Sequence, residues 1–567
     1  MKSIYTAGES GVELSEPMTA SQRTRFIAIP GVLALVISLW VPLASAQTAP
    51  SVGGRSSAVS LGEPHHVHAT YTEEPPEVPI AQQRQLDEML IRSSHAGPRT
   101  PIDRTAHVRG GPAPVTVKAP PRAALPGTRS GRAAPTDFTV YVAKDKGARS
   151  GLIPEPTEAT DGRAVLMTWN TRAAVSSNRG LNATWKNVNP ATTFPSAFGG
   201  LCCDQSVVYE PNFDLYIWVL QYSPDANNNN EIRIAVAQGS ANMLAGNWFW
   251  YDYTPQIVGA ANGSNWDQPK IATDSNFLFI ESTSYGATGG SFLLRFPLEV
   301  LAVGAGCGCN YIGPFVEFSP GLVQGAQQIM YFAAHRSTSQ LRIFQWPDNS
   351  GSFFWNDINH TVYPQNFPYS CARMGGNSTS DWCQRRSFGG GWAHTDRIFN
   401  MWLSNGTIGV AWDASQGASG FGTFPLPYVQ VEIVRLTDLN GDGGARSPLS
   451  EPYMNGNGFS IQYSAIAANG LGGLGGAVEF GGGSSGIFES CSIVMWDQYQ
   501  TGWGLMLGYY GNADPNDTLS GDYLSARGNG GNPRTWSATC YNLTDTAPST
   551  GSSHQLFLSF GRVQDTP

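Results

Sequence analysis

At 567 residues the chain has room for more than one domain. Its net charge of −9 is unevenly spread: residues 47–135 hold ten Arg/Lys against seven Asp/Glu and residues 1–46 balance, which leaves −12 on 136–567. So acidic a region repels a phosphate backbone, which argues against nucleic acid as its main partner.

In chain order, Arg23 and Arg25 precede an apolar run from Phe26 to Ala44 that ends in Ala44-Ser45-Ala46. A positive flank, an apolar core and small residues at alternate positions are what an export peptidase needs, so residues 1–46 are expected to be a signal peptide. The alternative is an uncleaved anchor, because the run is nearly long enough to span a bilayer. A membrane partner is expected only in that case; otherwise the protein is secreted, periplasmic or on the cell surface.

Residues 47–135 are rich in Pro, Ala, Arg, Ser and Thr and poor in aromatics. Such a stretch buries too little apolar surface to offset its chain entropy, and a disordered, partly extended linker is expected. One short helix fits between Pro79 and Ser94. His65, His66 and His68 resemble a metal-binding tract, which in a disordered segment without further ligands is more often chance.

From about Asp137 the texture changes. Val165–Trp169, Leu215–Val219, Ile232–Val236, Phe277–Ile280, Leu341–Phe344, Ile398–Trp402, Val429–Ile433 and Gln555–Leu558 alternate with Gly/Asn/Ser/Asp turns. Period-2 runs with such punctuation predict antiparallel strands, so 136–567 reads as an all-β domain. Only Leu298–Val303 suits a helical turn or two. Asp204-Gln205 and the run through Ile217 recur 63 residues later, without a gap, as Asp267-Gln268 and the run through Ile280. Weaker echoes begin near Gln324, Arg385, Tyr463 and Gly521. Repeats of a four-strand unit point to a six- or seven-bladed β-propeller preceded by the Pro-rich tether; a sandwich array is the alternative.

All eight cysteines lie between Cys202 and Cys540. In an oxidising compartment an even number suggests disulfides, and Cys371–Cys383 is the favoured clip across a polar loop. No zinc-type spacing occurs.

Trp266-Asp267-Gln268-Pro269-Lys270-Ile271 resembles the blade openings of secreted bacterial proteins of the sialidase-like β-propeller superfamily. Gly521-Asp522-Tyr523-Leu524 followed by Trp536–Tyr541 does so too. The resemblance spans about 200–567 and implies a fold. It carries no catalysis: the Ser-x-Asp-x-Gly-x-x-Trp box of such blades is missing, and the sialidase set of an arginine cluster, a Tyr–Glu pair and an acid/base Asp has no counterpart in the sequence pattern.

Four constellations are candidates for chemistry. Asp204, Asp267 and Asp497 each precede Gln and, at one mouth of the channel, are candidate acid/base groups on a glycan; their other reading is a turn that holds neighbouring blades. Trp392, His394, Asp396 and Arg397 cluster beside a strand and suit stacking and hydrogen bonding to a sugar. Asp438, Asn440 and Asp442 match the opening of a calcium loop, although a plain turn explains them equally; apart from this possible Ca²⁺ no cofactor is expected. Gly482–Gly486 has the spelling of a nucleophile elbow without its strand-turn-helix context. The functional expectation is a propeller that binds a glycan or an extracellular protein without catalysis. The alternatives are a carbohydrate-active hydrolase or lyase with an acidic channel mouth, and a structural envelope protein.

Overall fold

The computed structural model describes residues 53–73, 138–150, 154–181, 184–315, 319–365, 369–376, 381–383, 397–498, 502–514, 523–528, 532–544 and 552–562. The expected signal peptide and the helix near Pro79 lie outside them.

Strand Leu215–Gln221 shows why the chain folds as stacked sheets. Every residue in it is buried, and its two faces go to different cores. Ile217 and Val219 pack toward the next sheet, with Ile280 and Leu294, while Tyr216, Trp218 and Leu220 pack toward the previous one, with Leu166 and Val175. A strand apolar on both faces needs a sheet on each side. The first hairpins of the sheets that begin at Pro156, Ser206 and Ser264 are each set by an acceptor side chain that satisfies turn amides. Asp161 takes Arg163 N and Ala164 N, Glu210 takes Asn212 N and Phe213 N, and Asp274 takes Asn276 N and Phe277 N.

Among the described residues the principal strands fall into seven antiparallel groups of four. Sheet 1 begins at Pro156–Thr160, sheet 2 at Ser206–Glu210, sheet 3 at Ser264–Thr273 and sheet 4 at Gly321–Gln324. Sheet 5 begins at Ile398–Ser404, sheet 6 at Ser460–Ala468 and sheet 7 at Ser525–Gly528. These first strands touch one another in cyclic order, and sheet 7 returns to sheet 1. The closed ring of four-strand units is a propeller architecture. Sheet 7 takes its outer strand from the other end of the domain: Phe138–Ser150 pairs antiparallel with Ser552–Arg562.

The 63-residue repeat is visible in the register. Val208 lies opposite Ile217 and Ile271 opposite Ile280, each pair 63 residues from its equivalent. The match fails at one point, a bulge between Asp267 and Lys270, where Gln268 adopts a left-handed φ of 52°.

The expected linker of 47–135 is corrected in its first part. Gly53–Arg55, Ser57–Gly62, His65–His68 and Thr72–Glu73 are strands. They add antiparallel to the outermost strands of sheets 4, 3, 2 and 1 in turn, forming a strap that runs backward along the ring. Composition misleads here because an added strand needs only its backbone N–H and C=O groups and a few docking side chains. Val59, Leu61, Val67 and Tyr71 supply the docking. The rest of the expected linker lies outside the described residues.

Three disulfides are formed: Cys202–Cys203, Cys371–Cys383 and Cys491–Cys540. The Cys371–Cys383 clip is the one expected from the sequence. Cys307 and Cys309 remain buried thiols whose pKa burial pushes up, the first to about 12. Cys491–Cys540 joins sheet 6 to sheet 7 across 49 residues, a closure worth about 4 kcal/mol in the loop-entropy model.

The strap covers sheet edges that otherwise offer unpaired backbone groups to other chains. A chain beginning at residue 136 should therefore keep its far-ultraviolet β signature but melt at lower temperature and self-associate on size exclusion. An unchanged melting temperature with a monodisperse profile would contradict the strap's role.

Candidate functional site

All seven first strands meet at the ring's centre around one cavity. Thr157, Ser206, Lys270, Gln324, Asn400, Ala465 and Arg527 each line it from a different sheet. Its volume of about 90 Å³ is well below the roughly 300 Å³ at which small-molecule sites begin. A single charged head group fits such a space; a sugar ring does not.

The cavity's seams are held by side chains rather than by sheet ladders. Ser206 Oγ donates to Pro269 O (3.1 Å), Gln324 Nε2 to Ile271 O (3.1 Å), and Glu158 N to Ser525 Oγ (3.1 Å). Among the described residues only sheets 4 and 5 share a backbone pairing at the hub, parallel, with Val323 opposite Met401.

The charge of the lining is the reverse of the sequence expectation. Lys270, Arg397 and Arg527 line the cavity, and none of the described residues lining it is Asp or Glu. Lys270 Nζ donates to Ser319 O (2.7 Å) and Ser319 Oγ (2.8 Å) and stands 3.9 Å from Glu281 Oε2. Burial lowers the Lys270 pKa, Glu281 opposes that, and the charge of Arg397 adds to it. Burial raises the carboxyl of Glu281. Arg527 Nη1 donates to Ala526 O (3.0 Å), while its Nε has no partner among the described residues. Burial lowers its pKa against the attraction of Glu158, whose own carboxyl burial raises. Two buried carboxylates thus stand behind the wall and three cations on it. Arg397 reaches across from sheet 5 to Gln268 Oε1 of sheet 3.

The three expected acids lie elsewhere. Asp204 and Asp267 are buried, and Asp267 Oδ1 accepts from Gln221 Nε2 (3.0 Å). Gln221 Oε1 in turn accepts Gln268 N (2.9 Å), so this pair fixes the bulge between sheets 2 and 3. Asp497 forms a buried two-point ion pair with Arg562 (2.7 and 3.2 Å). The partner glutamines are also structural: Gln205 accepts from Trp218 Nε1 (2.8 Å) and donates to Asn170 O (2.6 Å). Asp267 and Asp497 thus bond to side chains of the neighbouring sheet, Gln221 and Arg562. Left-handed residues stand at or near five of the first strands, at Glu155, Asp204, Gln268, Ser319 and Tyr463.

Of the stacking cluster, Trp392, His394 and Asp396 lie outside the described residues, and Arg397 stands in the channel. The calcium-loop expectation meets a different geometry. Asp442 Oδ2 accepts from Arg446 Nη2 (2.6 Å) and Asn440 Nδ2 (3.0 Å), and its Oδ1 from Gly444 N (2.7 Å) and Asn356 Nδ2 (2.9 Å). Asn440 Oδ1 also accepts from Arg446 Nη2 (2.8 Å), and Asp438 O from Arg446 Nε (3.0 Å). The Arg446 guanidinium thus bonds to oxygens of all three loop residues. These bonds, that of Gly444 first, hold the Asp442 carboxyl down at about 2. Gly483–Ser485 is a tight turn between two strands, not a nucleophile elbow. Trp248, Trp250, Tyr251 and Tyr253 are buried packing residues.

No family model matches the chain, and no curated protein matches it. Solved structures that superpose on it include the α-L-arabinofuranosidase Arb93A of Fusarium graminearum, 9% identical at a TM-score of 0.33, covering 76% of this chain and 98% of that one. The Trypanosoma rangeli sialidase is 9% identical at 0.30, covering 63% and 54%. The Nup133 β-propeller domain of Vanderwaltozyma polyspora is 9% identical at 0.31, covering 72% and 93%. At these scores the propeller assignment rests on the chain's own strand order and ring of contacts.

Removing one partner of a buried ion pair typically costs about 3–5 kcal/mol. Asp497→Asn should lower stability by that amount in chemical denaturation, while Asp442→Ala and millimolar Ca²⁺ leave the melting temperature within a degree or two. A calcium-dependent rise that Asp442→Ala abolishes would restore the cation reading.

Proposed function

We propose that this is an exported, seven-bladed propeller that binds an anionic glycan without turning it over, its channel receiving the ligand's carboxylate or sulfate. The observation that supports this is the charge of the channel lining: three cations from sheets 3, 5 and 7 and, among the described residues, no acid. Arginine suits such groups because its planar fork offers paired donors to carboxylate and sulfate oxygens. Arg397 is the residue on which the reading depends. The hydrolase alternative needs two accessible carboxylates facing one bond. Asp204, Asp267 and Asp497 are buried, and Asp497 is in an ion pair. Three disulfides fit an oxidising compartment, and the N-terminal signal is the expected route there.

The test pairs uronic-acid or sulfated oligosaccharides with neutral ones of equal length, read by calorimetry and by mass spectrometry of the sugar. The anionic members should bind and be recovered intact, and Arg397→Gln should weaken binding about ten- to a hundred-fold, the range expected for a lost charge-assisted hydrogen bond. Equal binding of neutral sugars, or shorter products, would overturn the proposal. Affinity should also fall with rising pH in the mildly alkaline range. Burial and Arg397 depress the Lys270 pKa, so its proton is lost below the ordinary lysine range and the channel's positive charge falls. A pH-independent affinity up to the range of a free lysine would contradict that part.

A further inference from the structure

The histidine tract has a defined place on the strap. His65–His68 is a strand added to Asn247–Tyr253, the outer edge of sheet 2, with His68 opposite Asn247 and His66 opposite Phe249. Strand alternation sorts the side chains. Val67 packs into the core between sheets 1 and 2, and His65 stacks on Trp250 with ring centroids 5.2 Å apart. His66 and His68 point the other way and are exposed. Both line a groove of about 540 Å³ whose walls include Gln238, Asn242, Asn247 and Val303.

A relay of hydrogen bonds fixes which nitrogen of His68 is free. It starts at the main-chain carbonyl of Gln238, which can only accept, so the group facing it is Asn242 Nδ2 (2.7 Å). Asn242 Oδ1 then faces Asn247 Nδ2 (3.2 Å), which turns Asn247 Oδ1 toward His68 Nδ1 (2.9 Å). An amide oxygen accepts, so Nδ1 carries the proton and neutral His68 keeps its lone pair on Nε2. Orientation of a histidine by a hydrogen bond on its other nitrogen is how proteins prepare an imidazole to ligate a metal. His66, two residues away on the same face, brings a second imidazole from about 7 Å along the strand, a span that two rings close around one ion at about 2 Å from each nitrogen.

We propose that this groove binds a divalent transition-metal ion through His66 and His68 of the strap, with Asn247 as a positioning residue and water completing the shell. Two imidazoles with oxygen co-ligands favour Cu²⁺ over Ni²⁺ and Zn²⁺ on the Irving–Williams order. The site is on the outer edge of sheet 2, away from the channel, and stands independently of the anionic-ligand reading.

The experiment is calorimetric titration of the full-length, untagged chain with Cu²⁺, Ni²⁺ and Zn²⁺. One ion per chain should bind, tightest for Cu²⁺, and raise the melting temperature, since only the folded strap presents both rings together. His66→Ala with His68→Ala should abolish this, and Asn247→Ala should weaken it about ten- to a hundred-fold while leaving both ligands in place. On the unaltered protein, electron paramagnetic resonance of bound Cu²⁺ should show two imidazole nitrogens, which keeps the proposal testable if a variant misfolds. Absence of binding, binding that survives the double substitution, or a spectrum without two imidazoles would overturn it.

Discussion

Closure of the ring is the constraint on which everything else depends. Sheets packed face to face, as on the two buried faces of Leu215–Gln221, are stable only if the last covers the first, and that seam carries more ties than a simple hairpin would. Phe138–Ser150 comes from before sheet 1 to complete sheet 7, Thr539 Oγ1 donates to Pro156 O (2.6 Å), and Ser537 Oγ donates to Glu158 Oε1 (3.0 Å). One seam earlier, Cys491–Cys540 and the Asp497–Arg562 ion pair hold sheet 6 to sheet 7. Phe138–Ser150 and Ser552–Arg562 thus meet in one sheet, so unfolding either strand opens the ring.

Closure also sets the chemistry at the hub. The first strands converge too tightly for a ligand-sized cavity, and their neighbours are joined mostly by side chain to backbone bonds. That leaves long side chains, Lys270, Arg397 and Arg527, as the groups able to reach the axis. Glu158 and Glu281 behind them temper the positive charge without removing it. A domain whose sequence is acidic overall therefore carries a cationic centre, which net charge alone does not report.

Much of the fold was legible because strand period and register are local properties. Val165–Trp169 is a strand with the bounds read from its alternation, and the 63-residue offset reappears as identical pairing partners. The strap was not legible. Its residues have too little apolar content for a core strand, and what holds them is backbone pairing to edges some 115–300 residues away. The site was only partly legible. Arg397 was singled out by its aromatic neighbours in sequence, whereas Lys270 and Arg527 looked like ordinary strand residues until the ring brought them together. In the calcium-like loop the ligand spacing says nothing of competing donors. Arg446, four residues after Asp442, was the available signal, and Asn356, 86 residues before it, was not.

The most direct test of the central claim, that the hub recognises an anion, is a crystal structure of the chain with a uronic-acid disaccharide. Cationic recognition predicts the carboxylate within hydrogen-bond distance of the Arg397 guanidinium, the sugar rings lying outside the narrow channel. Ordered sugar bound elsewhere, or a carboxylate turned to solvent away from Arg397, would contradict it.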